Sequence, residues 1–168
     1  KLKLSGEAFG WRSITSSTLA KCGGTPLYSC YVNETCGEGS GLCPSEPNSL
    51  TLARDAVKEF DSTVNFSKFD GDGDGFVDAL MVVHPGLGGE ESGLKRDLWS
   101  SMTMLSNSPV VDGVRVREFI VVPERSCTGP ARDPCSQKGS VNIGDIAHEF
   151  GHILQLPDLY DTGRGTSD

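Results

Sequence analysis

The pentapeptide His148-Glu149-Phe150-Gly151-His152, with Pro157 five residues beyond it, constrains this chain more tightly than any other segment. On a helix, residues four apart share a face, so His148 and His152 turn both imidazoles toward one point. Glu149 lies one position round, where its longer side chain can reach a water at that point. Two neutral imidazoles are a donor pair for Zn2+, and a catalytic zinc site takes three protein ligands and keeps one position open. The bland reading is a satisfied pair of surface histidines. It loses ground because the chain has only three histidines and a glutamate stands second in the motif. The pattern predicts a helix starting near Asn142 or Ile143, with Asn142 as cap and Asp145 reaching back to the freed amides.

The third ligand is less constrained. Pro157 cannot continue a helix, so the backbone must turn, and Asp158 follows six residues after His152. Asp158 is the expected third ligand. Two alternatives stay open: Asp158 as an ordinary acidic turn residue ahead of Leu159-Tyr160-Asp161, and His84 as the one competing imidazole. Gln155 sits where such a turn often needs a left-handed residue, a conformation that costs a non-glycine roughly 1 kcal/mol.

A second constellation spans Phe69 to Asp78, FDGDGDGFVD, with carboxylates at alternating positions. Calcium loops wrap a hard cation in this way, and here the oxygens would come from Asp70, Asp72, Asp74, the carbonyl of Phe76 and Asp78, with Gly75 at the sharp turn. Four carboxylates this close repel one another unless a cation sits among them. Loop position twelve is Met81 rather than the bidentate glutamate of an EF-hand, so the expectation is a structural Ca2+ loop of another kind. The competing reading is a solvated acidic turn.

Composition removes several classes. At 168 residues, 36% hydrophobic and 23% charged, the chain is about one globular domain. Its net charge of -8, without any basic run, argues against nucleic acid as a partner. No apolar run approaches the ~20 residues of a membrane span. Lys1-Leu2-Lys3-Leu4 opens directly into strand-like alternation with no signal peptide, so the chain reads as a processed or trimmed product. Six cysteines, at positions 22, 30, 36, 43, 127 and 135, contain no C-x-x-C and predict disulfides in an oxidising compartment. Cys127 is expected to pair with Cys135, and the other four among themselves. The sequons Asn33-Glu34-Thr35 and Asn65-Phe66-Ser67 agree with secretion.

The remaining pattern predicts a strand or irregular hairpin over Leu2 to Ile14 and a long Cys-rich loop from Cys22 to Pro47. From Ser49 a helix should bury Leu52, Ala53, Ala56, Val57 and Phe60 and expose Arg54, Asp55, Lys58 and Glu59, capped by Asn48 or Ser49. Ala79 to His84 reads as a buried strand, and Val114 to Val122 as another, hairpinned through Asp112-Gly113.

With both metal motifs in place, the chain resembles the immune inhibitor A family of secreted zinc metallopeptidases, which are metzincin-like enzymes. The likeness is carried by Gly6-Glu7-Ala8-Phe9-Gly10-Trp11, by Phe69 through Val83-His84-Pro85-Gly86, by Asp97-Leu98-Trp99-Ser100, and by His148 through Asp161. The step to Asp158 is that of the extended pattern H-E-x-x-H-x-x-G-x-x-H, with aspartate last and Gln155 in the glycine's place. The resemblance implies an α+β fold, a metzincin-like mixed β-sheet with a backing helix and an active-site helix. It further implies zinc held by His148, His152 and Asp158, Glu149 as general base, and a protein or peptide substrate. The Cys-rich insertion, 22–43, is foreign to the family pattern. Family members carry a strand and helix upstream of Gly6 and a Met-containing turn downstream of Tyr160, whereas Met81, Met102 and Met104 all precede the zinc motif. The expectation for 1–168 is therefore a partial catalytic domain, with its remaining segments as partners. The functional expectation is a secreted zinc endopeptidase; the alternative is a secreted calcium-dependent binding module whose zinc site is inactive or incomplete.

Overall fold

Phe119-Ile120-Val121-Val122 runs without a polar residue, and in the computed structural model, which describes residues 5–14, 31–32, 41–127 and 138–158, all four are fully buried. Such a run suits a strand covered on both faces. It forms the middle of β5 (Glu118–Cys127), around which the other elements are arranged. β1 (Leu80–Leu87) pairs with β5 in parallel, while β2 (Ser101–Met104) and β6 (Lys138–Ser140) pair with it antiparallel. Ile120 is opposite both Met81 and Met102, and Arg125 opposite both Leu87 and Ser140, so β2 and β6 share the edge of β5 that β1 leaves open. The sheet is mixed and the class α+β, with helices α1 (Ser49–Phe60), the four-residue α2 (Gly89–Ser92) and α3 (Ile143–Ile153).

α1 forms where its spacing predicts, and Asn48 starts it. Its side chain accepts from the Thr51 amide at 3.1 Å, and Thr51 Oγ1 accepts from the Asn48 amide at 3.4 Å, a reciprocal cap on two of the helix's free donors. Leu52, Ala53, Ala56 and Val57 are buried as expected. Asp55, expected on the outer face, is buried as well, because the Tyr31 hydroxyl donates to it at 3.0 Å. A hydrogen bond of that kind offsets the loss of water around a polar group.

Three expectations are corrected by the fold. The strand expected over Val114 to Val122 is two elements: β3 (Val110–Val111) and β4 (Val114–Arg115) form a short hairpin through Asp112 and Gly113, both at positive φ, and β5 begins separately at Glu118. The cause lies at Arg115, whose N–H donates to Gly75 and whose carbonyl accepts from Val77, each at 2.9 Å. These bonds hold β4 against the acidic loop and off the line of β5. β1, expected to be a buried strand, alternates instead and leaves Met81 and Val83 exposed; its ladder is irregular between His84 and Leu87, where Pro85 has no N–H to give. Residues 5–14, expected as strand or hairpin, carry no regular structure, and Phe9 rests against Phe60 and Phe69 at centroid distances of 6.3 and 6.4 Å. Of the Cys-rich insertion, only 31–32 and 41–43 belong to the described residues.

Candidate active site

α3 lies against β5 and β2 and carries the two histidines. Asn142 occupies its N-cap position, but the side chain makes no capping bond; the backbone N–H of Asn142 donates to Ser126 Oγ at 3.0 Å. Asp145, expected to reach back to the helix amides, also bonds to Ser126, and its Oδ2 is sealed from solvent without a hydrogen-bond partner. Burial, and next Glu90, push the Asp145 carboxyl above the ordinary carboxylate range, against the pull of His148 and Ser126.

At the other end the helix closes on Gln155, which takes φ +63°. The Gln155 amide donates to the His152 carbonyl at 2.9 Å and the Leu156 amide to the Gly151 carbonyl at 3.0 Å. This pair of bonds is the Schellman arrangement, in which the left-handed position is most often glycine. The turn is thus built in the usual geometry by a residue that bears its strain, and it brings the chain back past the helix at Pro157. The Asp158 Oδ1 atom comes to rest 3.3 Å from His148 Nε2 and 3.2 Å from His152 Nε2, with the two rings edge to face at 4.8 Å. Two ligands of a tetrahedral ion at bond lengths of ~2.0–2.1 Å stand about 3.3 Å apart, so this donor set fits Zn2+. His152 Nδ1 lies 2.9 Å from the Leu156 carbonyl. That acceptor places the ring proton on Nδ1 and leaves the Nε2 lone pair for a metal.

Glu149 is buried on the same helix, with His148 Nε2 at 4.0 Å from its Oε1. Burial raises its pKa from the ordinary glutamate value; a hydrogen bond from the Met102 backbone and the two histidines pull it down. His84, the competing imidazole, is elsewhere. It is buried within β1, with Nδ1 3.0 Å from the Pro85 carbonyl, and the group of donors within 4.8 Å of one another comprises His148, His152 and Asp158. Sequence reasoning missed the wall of the site. Glu90, Trp99 and Ser100 line one cavity with Asp145, His148 and Glu149, and for Glu90, four residues after Gly86 on a loop-like stretch, no local pattern announced it.

The acidic loop gathers Asp70, Asp72 and Asp78 into a second group of donors within 4.8 Å of one another. Asp70 fastens the loop, accepting from the amides of Gly73, Asp74 and Gly75 at 2.8 to 3.0 Å, and Gly75 takes φ +86° at the sharp turn. Asp74 stands apart from the group, its Oδ1 accepting from the Phe76 amide at 2.9 Å. Neither described cysteine, Cys43 or Cys127, is a free thiol, and Cys135, the expected partner of Cys127, lies outside the described residues.

An α+β domain that sets an H-E-x-x-H helix on a mixed sheet, with a carboxylate closing on both imidazoles, has the make-up of a metallopeptidase catalytic domain. The family model described as immune inhibitor A peptidase M6, catalytic domain, matches residues 48–168, and the chain belongs to this family. It is 34% identical over 129 residues to immune inhibitor A of Bacillus thuringiensis subsp. alesti, an alignment covering 66% of this chain and 18% of that protein. It is 29% identical over 178 residues to the pre-pro-metalloprotease PrtV of Vibrio cholerae serotype O1, covering 95% of this chain and 17% of that protein. The chain therefore spans less than a fifth of the length of these relatives.

Proposed function

We propose that this chain is the zinc-binding part of a secreted endopeptidase, with His148, His152 and Asp158 as metal ligands and Glu149 as general base. The observation that carries the reading is the approach of one Asp158 oxygen to the Nε2 atoms of both histidines, at 3.3 and 3.2 Å. A bound zinc ion supplies Lewis acidity toward the scissile carbonyl and lowers the pKa of a water toward ~7. Glu149 takes the proton from the attacking water and hands it to the leaving amine. Its buried position supports that task, since desolvation brings a carboxylate pKa nearer the working pH. The Met102 backbone, on β2, holds the carboxylate in place, so helix and strand orient the base together. Leu156 supports the tautomer that His152 needs.

The convergence of Asp70, Asp72 and Asp78 supports a structural Ca2+ ion in the acidic loop, with the Phe76 carbonyl as a further oxygen. The six cysteines, with neither Cys43 nor Cys127 a free thiol, support disulfides and an oxidising, extracellular setting. Protein or peptide is the substrate class, and the remaining segments of the catalytic domain are this chain's partners.

The test is a metal analysis of the full-length protein joined to a casein cleavage assay with and without a chelator. About one zinc per chain, and activity that chelation removes and zinc restores, is the expected outcome. Cleavage that survives complete zinc removal would overturn the reading.

A further inference from the structure

α2, though only four residues long, is bonded on several sides. The Gly89 N–H donates to the Leu98 carbonyl at 2.8 Å, and Glu91 accepts from the amide of Cys127 at the end of β5. Glu90 takes both donors of Ser100, the amide at 3.0 Å and the hydroxyl. Ser100 is buried and stands immediately before β2. Two residues on, the Met102 backbone bonds the Glu149 carboxylate. A run of bonded residues thus leads from Glu90 through Ser100 and the start of β2 to Glu149, and the two glutamates line one cavity. Gly88 adds an independent observation. Its φ of −76° is open to any residue, so its backbone does not call for glycine. The space above it does. A Cβ at Gly88 would stand 2.5 Å from Glu90 Oε2, and the three atoms nearest to it all belong to the Glu90 carboxyl group. The missing side chain leaves room for that carboxylate to reach Ser100.

We infer that Glu90 is a positioning residue for Glu149: by holding Ser100 through two hydrogen bonds it fixes the start of β2, and with it the Met102 backbone that orients the base. The assignment rests on the peptidase reading above and adds a residue to it. A general base must meet the attacking water within hydrogen-bond reach, and a displacement of about 1 Å can cost up to about a hundredfold in rate.

The test compares Glu90→Ala, Glu90→Gln, Gly88→Ala and the double variant of Gly88→Ala with Glu90→Ala, each as zinc-loaded full-length protein. Zinc content, kcat and KM on a fluorogenic peptide, and amide hydrogen exchange at Ser100 and Met102 are measured for each. Glu90→Ala should lower kcat by about tenfold or more, with KM within about twofold of the parent and zinc retained. Glu90→Gln, whose amide oxygen still accepts from Ser100, should recover most of that loss. Gly88→Ala should lower kcat as Glu90→Ala does, and the double variant should lose no more than either alone, because the added methyl acts by displacing the Glu90 carboxylate. Exchange at Ser100 and Met102 should quicken wherever kcat falls. Undiminished kcat in Glu90→Ala, a glutamine variant no better than alanine, or losses that add in the double variant would overturn the assignment. Unchanged exchange at Met102 in a protein that cleaves peptides sinks the role of Glu90 alone, whereas Glu90-dependent exchange at Met102 in a protein that cleaves nothing sinks the peptidase reading alone.

Discussion

His152 and Leu156 are joined by a contact of 2.9 Å between the imidazole Nδ1 and the Leu156 carbonyl, so the turn that redirects the chain also orients the ring facing Asp158. Between them stands Gln155 at φ +63°, a conformation that an L-residue holds at a cost of roughly 1 kcal/mol. Gln155→Gly should therefore raise stability by about 0.5–1 kcal/mol in urea unfolding, while Gln155→Val, β-branched at positive φ, should lower it. A glycine variant less stable than the parent would contradict this account of the turn.

His84 makes stability depend on pH. Burial holds its pKa below the ordinary 6.5, outweighing the Pro85 carbonyl and the carboxylates of Glu90, Asp97 and Glu124, which pull it up. The folded chain prefers the neutral ring, so the unfolded chain takes up a proton first as the pH falls. The contribution is fully present above pH 6.5 and is lost as the pH falls through the folded-state pKa. Unfolding curves taken from about pH 7 down to about pH 5 should show a smaller loss of stability in His84→Gln than in the parent chain. Equal losses in the two proteins would remove His84 from the explanation.

The acidic loop should respond to calcium. An ion that binds only the folded chain stabilises it by about 2.7 kcal/mol at a hundred times its Kd, so calcium-selective chelation with zinc retained should lower Tm by roughly 5 °C or more. Asp72→Asn should abolish most of that shift, and Asp74→Asn should keep more of it, because Asp74 Oδ1 accepts from the Phe76 amide and Asp74 is not in the group formed by Asp70, Asp72 and Asp78. An unchanged Tm on chelation would sink the calcium assignment.

What could be read from the sequence was what short spacing dictates. His148 and His152 share a helix face, Asn48 caps α1, and Asp70, Asp72 and Asp78 of the loop converge, all within a dozen residues of chain. Long-range pairing was not legible. Arg115 leaves the line of β5 because its backbone bonds to Gly75 and Val77, some forty residues earlier, and nothing near Val114 announces that. Glu90 likewise reaches the cavity through Ser100 and the packing of α3, neither of which local periodicity encodes. Asp55 looked like a surface residue because its partner, Tyr31, lies in another segment.

The most direct test of the central claim is the zinc content, measured beside peptide cleavage, of Asp158→Ala and Glu149→Ala. Asp158 touches both imidazoles, at 3.3 and 3.2 Å, whereas Glu149 lies 4.0 Å from His148 Nε2 with its carboxylate tied to Met102. Asp158→Ala should lose zinc and activity together, whereas Glu149→Ala should retain close to the parent's zinc and lose activity by a factor of about a hundred or more. Full zinc occupancy in Asp158→Ala, or undiminished cleavage by Glu149→Ala, would contradict the account.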